Sequence, residues 1–176
     1  MTRVVLNRDH LTGVVNEATD SCRHRLFVAT ADVKDLHVPF GRGRGQAKSI
    51  VELFEELSAR HIEVRLLHGG VPSQPFLERL KEHLPATLAM RRCPRVHIKA
   101  VIVDGRRMYL GSANLTGAGL GAKSPRRRNF EGGIWTDEGG LIDPVLDMLD
   151  GVWQGDECED CGRREYCPVP LEEPDL

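Results

Sequence analysis

Short apolar runs alternate along this chain with stretches whose apolar positions return every three or four residues. That alternation predicts strands interleaved with helices. Asp9 or Thr12 is placed to cap a first helix running to about Cys22. Leu26, Phe27, Val28 and Ala29 predict a strand over 25–30. Pro39, Gly41, Gly43 and Gly45 make 38–45 a loop. Ile50, Val51, Leu53, Phe54 and Leu57 share one face of a helix over 46–60. A strand over 62–67 follows, then a helix over 73–84 capped by Ser73, and a short strand over 86–91. An apolar hairpin begins at Val96. Residues 130–135 predict a last core strand and 141–153 a last helix. Helices between strands imply an α/β fold, with a mixed, mostly parallel sheet covered by helices on both faces.

The hairpin carries the chemistry. Residues 96–117 read V-H-I-K-A-V-I-V-D-G-R-R-M-Y-L-G-S-A-N-L-T-G. Side chains alternate along a strand, so His97 and Lys99 leave the same face. Asp104-Gly105 is a strong turn signal. Met108, Tyr109 and Leu110 start the return strand, which brings Asn114 back towards His97 and Lys99. A nucleophile, a fixed cation and an amide donor converging on one spot suit a phosphate. Neutral His97 can attack phosphorus and split one displacement into two. No carboxylate cluster accompanies it, so hydrolysis without a divalent metal is expected.

The pattern H-x-K-x4-D-x6-G-S-x-N resembles the signature of the phospholipase D superfamily. Its fixed positions are filled by His97, Lys99, Asp104, Gly111, Ser112 and Asn114. In outline the resemblance runs from about Asp9 to Trp153. It implies a phospholipase D-like fold and a phosphodiesterase working through a phosphohistidine at His97, with Lys99, Asn114, Ser112 and Asp104 in the site. In the nuclease branch of that family an acidic residue follows the motif and hydrogen-bonds the histidine ring; Glu131 stands at that point. The motif occurs once here, whereas the family brings two copies together. The resemblance therefore implies a homodimer with its axis near His97.

The 176 residues, 40% hydrophobic, suit one core-bearing domain. Residues 1–154 are read as the catalytic domain and 155–176 as a Cys-rich acidic tail. The formal net charge of −2 decides nothing, but its distribution does. From Arg91 to Arg128 only Asp104 opposes ten basic residues, and after Glu131 the sign reverses. A basic half around the motif suits a polyanion; the partner is read as nucleic acid, DNA or RNA, with DNA placed first for the nuclease reading. Arg126, Arg127 and Arg128, beyond the motif, are read as backbone phosphate contacts. Arg42 and Arg44 in the Gly-rich loop are read the same way; that loop lacks the residues of a Walker motif. A phospholipase acting on anionic lipids is the second enzyme reading, but no amphipathic anchor is evident. A catalytically idle nucleic-acid-binding subunit is the third. No signal peptide or membrane-length apolar run is visible, so a cytoplasmic protein with no membrane contact is expected.

Cys158, Cys161 and Cys167 crowd the tail of a chain with five cysteines. Three close thiols in a reducing compartment point to a structural metal, outside catalysis. A closed site needs a fourth ligand. Cys93 is the first choice and Cys22 the second. The spacing resembles the last three cysteines of the iron–sulfur site in endonuclease III-type glycosylases, and the iron–sulfur clasp of RecB-type nucleases. It departs from the glycosylase pattern at Gly151, seven residues before Cys158. The expected centre is a [4Fe-4S] cluster or zinc.

Overall fold

The computed structural model describes residues 1–39 and 47–174. Nine strands and four α-helices are seen among them. In chain order they are β1 (Thr2–Leu6), α1 (Asn16–Ser21), β2 (Arg25–Thr30), β3 (His37–Pro39), β4 (Ala47–Ser49), α2 (Ile50–Ala59) and β5 (Glu63–His68). Then come α3 (Gln74–His83), β6 (Leu88–Arg92), β7 (Lys99–Val103), β8 (Arg107–Gly111), β9 (Gly132–Thr136) and α4 (Gly139–Gln154). A π-helical turn, Leu11–Val15, leads into α1.

Seven strands form one mixed sheet in the order β1-β9-β8-β7-β2-β5-β6. β2, β5 and β6 run parallel, while β7, β8, β9 and β1 join antiparallel. The parallel share is thus smaller than the helix–strand alternation implies, because β7 follows β6 without a crossover helix. A short loop permits reversal; a parallel neighbour needs a crossover connection.

Alternation along β2 sorts the core. Leu26 and Val28 face the cluster built from α1, α2 and α3, whereas Phe27 and Ala29 face the cluster built on Ile142, Leu149 and Trp153 of α4. Helices therefore cover both faces. α2 begins at Ile50 because Ser49 forms a capping box: its Oγ accepts from Val51 N–H at 3.1 Å, and its own N–H donates to Glu52 at 2.7 Å.

Two expectations need correction, and one strand is added. Val38 is fully buried and paired with Lys48, so the expected loop over 38–45 starts in a two-stranded ribbon; residues 40–45 lie outside the described residues. β9 starts at Gly132, which leaves Phe130 97% exposed. β1 adds a strand that the hydrophobic pattern does not announce; it is an edge strand whose Val4 and Leu6 remain exposed.

Candidate active site

The turn of the β7–β8 hairpin has both central residues in the left-handed region, Asp104 at φ 52° and Gly105 at φ 66°. Left-handed residues at both central positions, with the Arg106 N–H closing on the Val103 carbonyl at 2.9 Å, suit the twist of the flanking strands and set the register. Lys99 consequently pairs with Gly111. Gly111 is required there: a Cβ would come within 2.3 Å of the Tyr109 hydroxyl and 2.6 Å of the Gly132 carbonyl. The Tyr109 phenol is pushed up to about 12 by burial, so it stays a neutral acceptor for the Ala113 N–H at 3.2 Å.

Lys99 opens β7 and is 8% exposed. Its Nζ donates to the His97 carbonyl at 2.7 Å and lies 3.4 and 3.5 Å from the two ring nitrogens of His97. No carboxylate pairs with it among the described residues. A buried ammonium is costly without a counter-charge, so this one favours an anion beside His97. The imidazole itself is exposed. Its loop packs close on the chain after β5: a Cβ on Gly69 would lie 2.4 Å from the Val96 carbonyl.

Asn114 is held from β2. Its Oδ1 accepts from Ala31 and Asp32 N–H, each at 3.1 Å, and from the Thr30 hydroxyl at 3.2 Å. Two backbone donors, with the Thr30 hydroxyl shared between this oxygen and the Asp32 carbonyl at 2.9 Å, fix the amide orientation and leave the Nδ2 hydrogens for a ligand. Thr30 also accepts from Leu115 N–H at 3.0 Å. No spacing in the sequence points to Thr30, Ala31 or Asp32. The only cue is topological, since they follow the C-terminal end of a parallel strand, where α/β sheets place ligands. His68 ends the neighbouring strand, buried, with Nδ1 2.8 Å from the Gly70 carbonyl. Burial lowers its pKa below the ordinary 6.5 and Arg92 adds to this, against the Gly70 carbonyl and Glu172.

Glu131 does not reach His97. Its carboxylate takes the Ser112 hydroxyl and, at 2.9 Å, the Asn129 amide. Asn7 pins its backbone through bonds of 3.0 and 3.2 Å. Register explains the separation. Tyr109 pairs with Trp135 on β9 and with Val101 on β7, so β8 lies between β9 and β7, the strand that the loop of His97 leads into. Two strand spacings are about 10 Å, too far for a direct bond. Ser112 is therefore bound to Glu131, with Gly132 N–H donating back to its Oγ at 3.1 Å.

Asp104 lies apart from this group, at the opposite end of β7. Its carboxylate accepts from the backbone N–H of Arg23, His24 and Arg25 at 2.8–2.9 Å and from the Cys22 thiol at 3.7 Å. Burial alone would raise its pKa; those donors outweigh it and hold the carboxyl below its ordinary value. Its catalytic assignment is corrected accordingly: it ties the hairpin to β2 and touches no group of the site.

Arg126 and Arg127 are exposed and Arg128 half-buried on a turn closed by bonds from Arg127 and Arg128 N–H to the Ser124 carbonyl. None of the three has an acidic partner among the described residues. The turn runs directly into Asn129 and Glu131. Arg42 and Arg44 lie outside the described residues. The basic and acidic halves are not kept apart as their order suggests. The tail folds back, pairing Arg91 with Glu173, Arg92 with Glu172 and Arg95 with Glu157. Opposite charges far apart in sequence meet because α4 returns the chain beside β6. Cys93, Cys158, Cys161 and Cys167 line one cavity of about 590 Å³ that also borders His97. Among the described residues no three His, Cys, Asp or Glu side chains are arranged around one metal position. No helix among them is long and apolar enough to cross a membrane.

A family model described as "Cardiolipin synthase, PLD-like domain" matches residues 17–153. No curated protein matches. Among solved structures, the fold is similar to the phospholipase D family member Nuc from Salmonella typhimurium, with a TM-score of 0.65 at 15% identity over 88% of this chain and 94% of that one. NucT from Helicobacter pylori matches with a TM-score of 0.60 at 16% identity, over 85% and 94%. Phosphatidylserine synthase of Haemophilus influenzae Rd KW20 matches with 0.57 at 15% identity, over 87% of this chain and 38% of that one. At these identities the likeness is one of fold.

Proposed function

Because the chain belongs to the phospholipase D-like domain family, we propose that it hydrolyses nucleic-acid phosphodiester bonds, DNA in preference to RNA, through a phosphohistidine at His97. The carrying observation is the buried, carboxylate-free Lys99 against the His97 ring. A phosphate seated there receives Lys99 Nζ and the free Nδ2 hydrogens of Asn114 on its non-bridging oxygens, where charge develops. A neutral ring nitrogen of His97 forms the N–P bond as the ester P–O bond breaks. The departing oxygen needs a proton, and one chain has one such histidine. A second copy related by a two-fold axis supplies it, then activates the water that cleaves the N–P bond and restores His97.

Nucleic acid is favoured by the unpaired arginines at 126–128, which suit a continuous polyanion. Glu131 enters as a positioning residue for Ser112, not as the partner of His97.

The test is incubation of the purified protein, in EDTA, with labelled single- and double-stranded DNA, the matching RNAs, and vesicles of phosphatidylglycerol. Cleavage of DNA with intact vesicles is expected. Release of lipid headgroups with intact nucleic acids would replace the substrate class, and binding without hydrolysis of any would end the enzymatic reading.

A further inference from the structure

Four of the five cysteines line one cavity. The fifth, Cys22, is fully buried beside Asp104 at the other end of the sheet, which removes it as a ligand. The segment that delivers three of the four, residues 155–174, contributes no buried side chain. Hydrophobic burial therefore does not hold it in place. It is held at its ends. Gly155, at φ 89°, closes α4 and accepts the Cys158 N–H at 2.9 Å. At the far end Arg92 N–H donates to the Glu172 carbonyl at 3.0 Å, and the two side chains pair. Between these anchors the tail arches over the loop that carries Cys93 and His97. Segments too small for a core of their own are commonly fixed by a metal or a cross-link.

Cys93 stands at the foot of the arch, its N–H donating to the His68 carbonyl at 2.9 Å. The Arg95 guanidinium and the Arg163 N–H belong to residues that line the same cavity as Cys161. Donors of this kind steady a thiolate bound to a metal. We infer that Cys93, Cys158, Cys161 and Cys167 form a four-thiolate site for a thiophilic metal centre, a single zinc ion or an iron–sulfur cluster, which clasps the tail onto the catalytic loop. Four sulfurs close the tetrahedron of zinc or give one ligand to each iron of a four-iron cluster, and thiolates select these over magnesium or calcium. The sulfurs must move inward to share a centre. An arch with no buried side chain makes that movement inexpensive. Bound thiols release their protons to solvent; zinc binding needs no redox change, and a four-iron cluster keeps its electron balance when ferrous and ferric iron are supplied in equal amounts with sulfide. The closed arch would also hold Arg163 and Arg164, which line the same cavity as His97.

The experiment measures metal in the full chain purified without oxygen, then reconstituted in parallel with zinc and with equal amounts of ferrous and ferric iron plus sulfide. One zinc per chain, or about four irons with a brown absorbance near ~400 nm, is expected. The loaded protein should protect four thiols from alkylation, with protection lost on denaturation. Cys161→Ser and Cys93→Ser should each lose the metal, while Cys22→Ser keeps it. Wild-type protein that takes up neither metal, or whose four cysteines form two disulfides under reducing purification, overturns the inference. So does full loading of Cys93→Ser. The wild-type loading and alkylation results decide the matter even where a serine variant fails to fold.

Discussion

At the scale of single residues, the site depends on groups whose partners decide their roles. Asp104 satisfies three backbone N–H groups and touches nothing in the site. Asp104→Ala should cost about 2 kcal/mol of stability, read by thermal or urea melts, since three donors lose a charged acceptor. Turnover per folded molecule should be unchanged; a large loss of activity in the folded variant would return Asp104 to the catalytic group. His68 is buried with a lowered pKa, so the unfolded chain takes up a proton at higher pH than the folded chain does. Its contribution is intact above the ordinary value of 6.5 and declines as pH falls towards the folded value. Melts between pH 7.5 and 5 should show this decline in wild type and less of it in His68→Gln. The motif itself is legible because His97, Lys99 and Asn114 sit at fixed short spacings on one hairpin. The partners of Glu131 and Asp104 are not, because Asn7 and Arg23–Arg25 approach from elements 79 or more positions away along the chain.

Elements set where those residues meet. The left-handed turn at Asp104-Gly105 sets the register that brings Lys99 opposite Gly111, and the chain leaving β2 presents the backbone donors that hold Asn114. Period and turn chemistry announce most strands and helices. β1 is not legible because an edge strand with two exposed apolar residues carries little pattern, and Phe130 misleads because it looks like core yet lies outside β9. The turn bearing Arg126, Arg127 and Arg128 has no acidic partner among the described residues. Replacing all three with alanine should weaken nucleic-acid binding at every sequence alike, and flatten the log–log salt slope by about one for each phosphate no longer neutralised. Equal affinity and equal slope in a filter-binding or anisotropy titration would place the strand elsewhere.

At the scale of the whole molecule, charge that looks segregated in sequence is partly cancelled in space. The acidic tail takes up Arg91, Arg92 and Arg95, and leaves the arginines of the 126–128 turn among those with no acidic partner among the described residues. Only folding reveals this, since α4 carries the tail back across the sheet. With a single histidine motif per chain, the proposed two-histidine mechanism requires an assembly. Mixing inactive His97→Ala chains with wild type should depress activity more steeply than dilution, because mixed pairs lack one of two required imidazoles. A monomer that is fully active in sedimentation-matched assays would contradict that.

Residue, element and assembly converge on the His97 imidazole. Hydrolysis of labelled DNA by His97→Ala, measured in EDTA beside wild type after circular dichroism has matched their folds, tests its role most directly. The expected result is a loss of more than about a thousandfold in kcat, with DNA still bound by the variant. Hydrolysis by His97→Ala at a rate near that of wild type would contradict the mechanism at its centre.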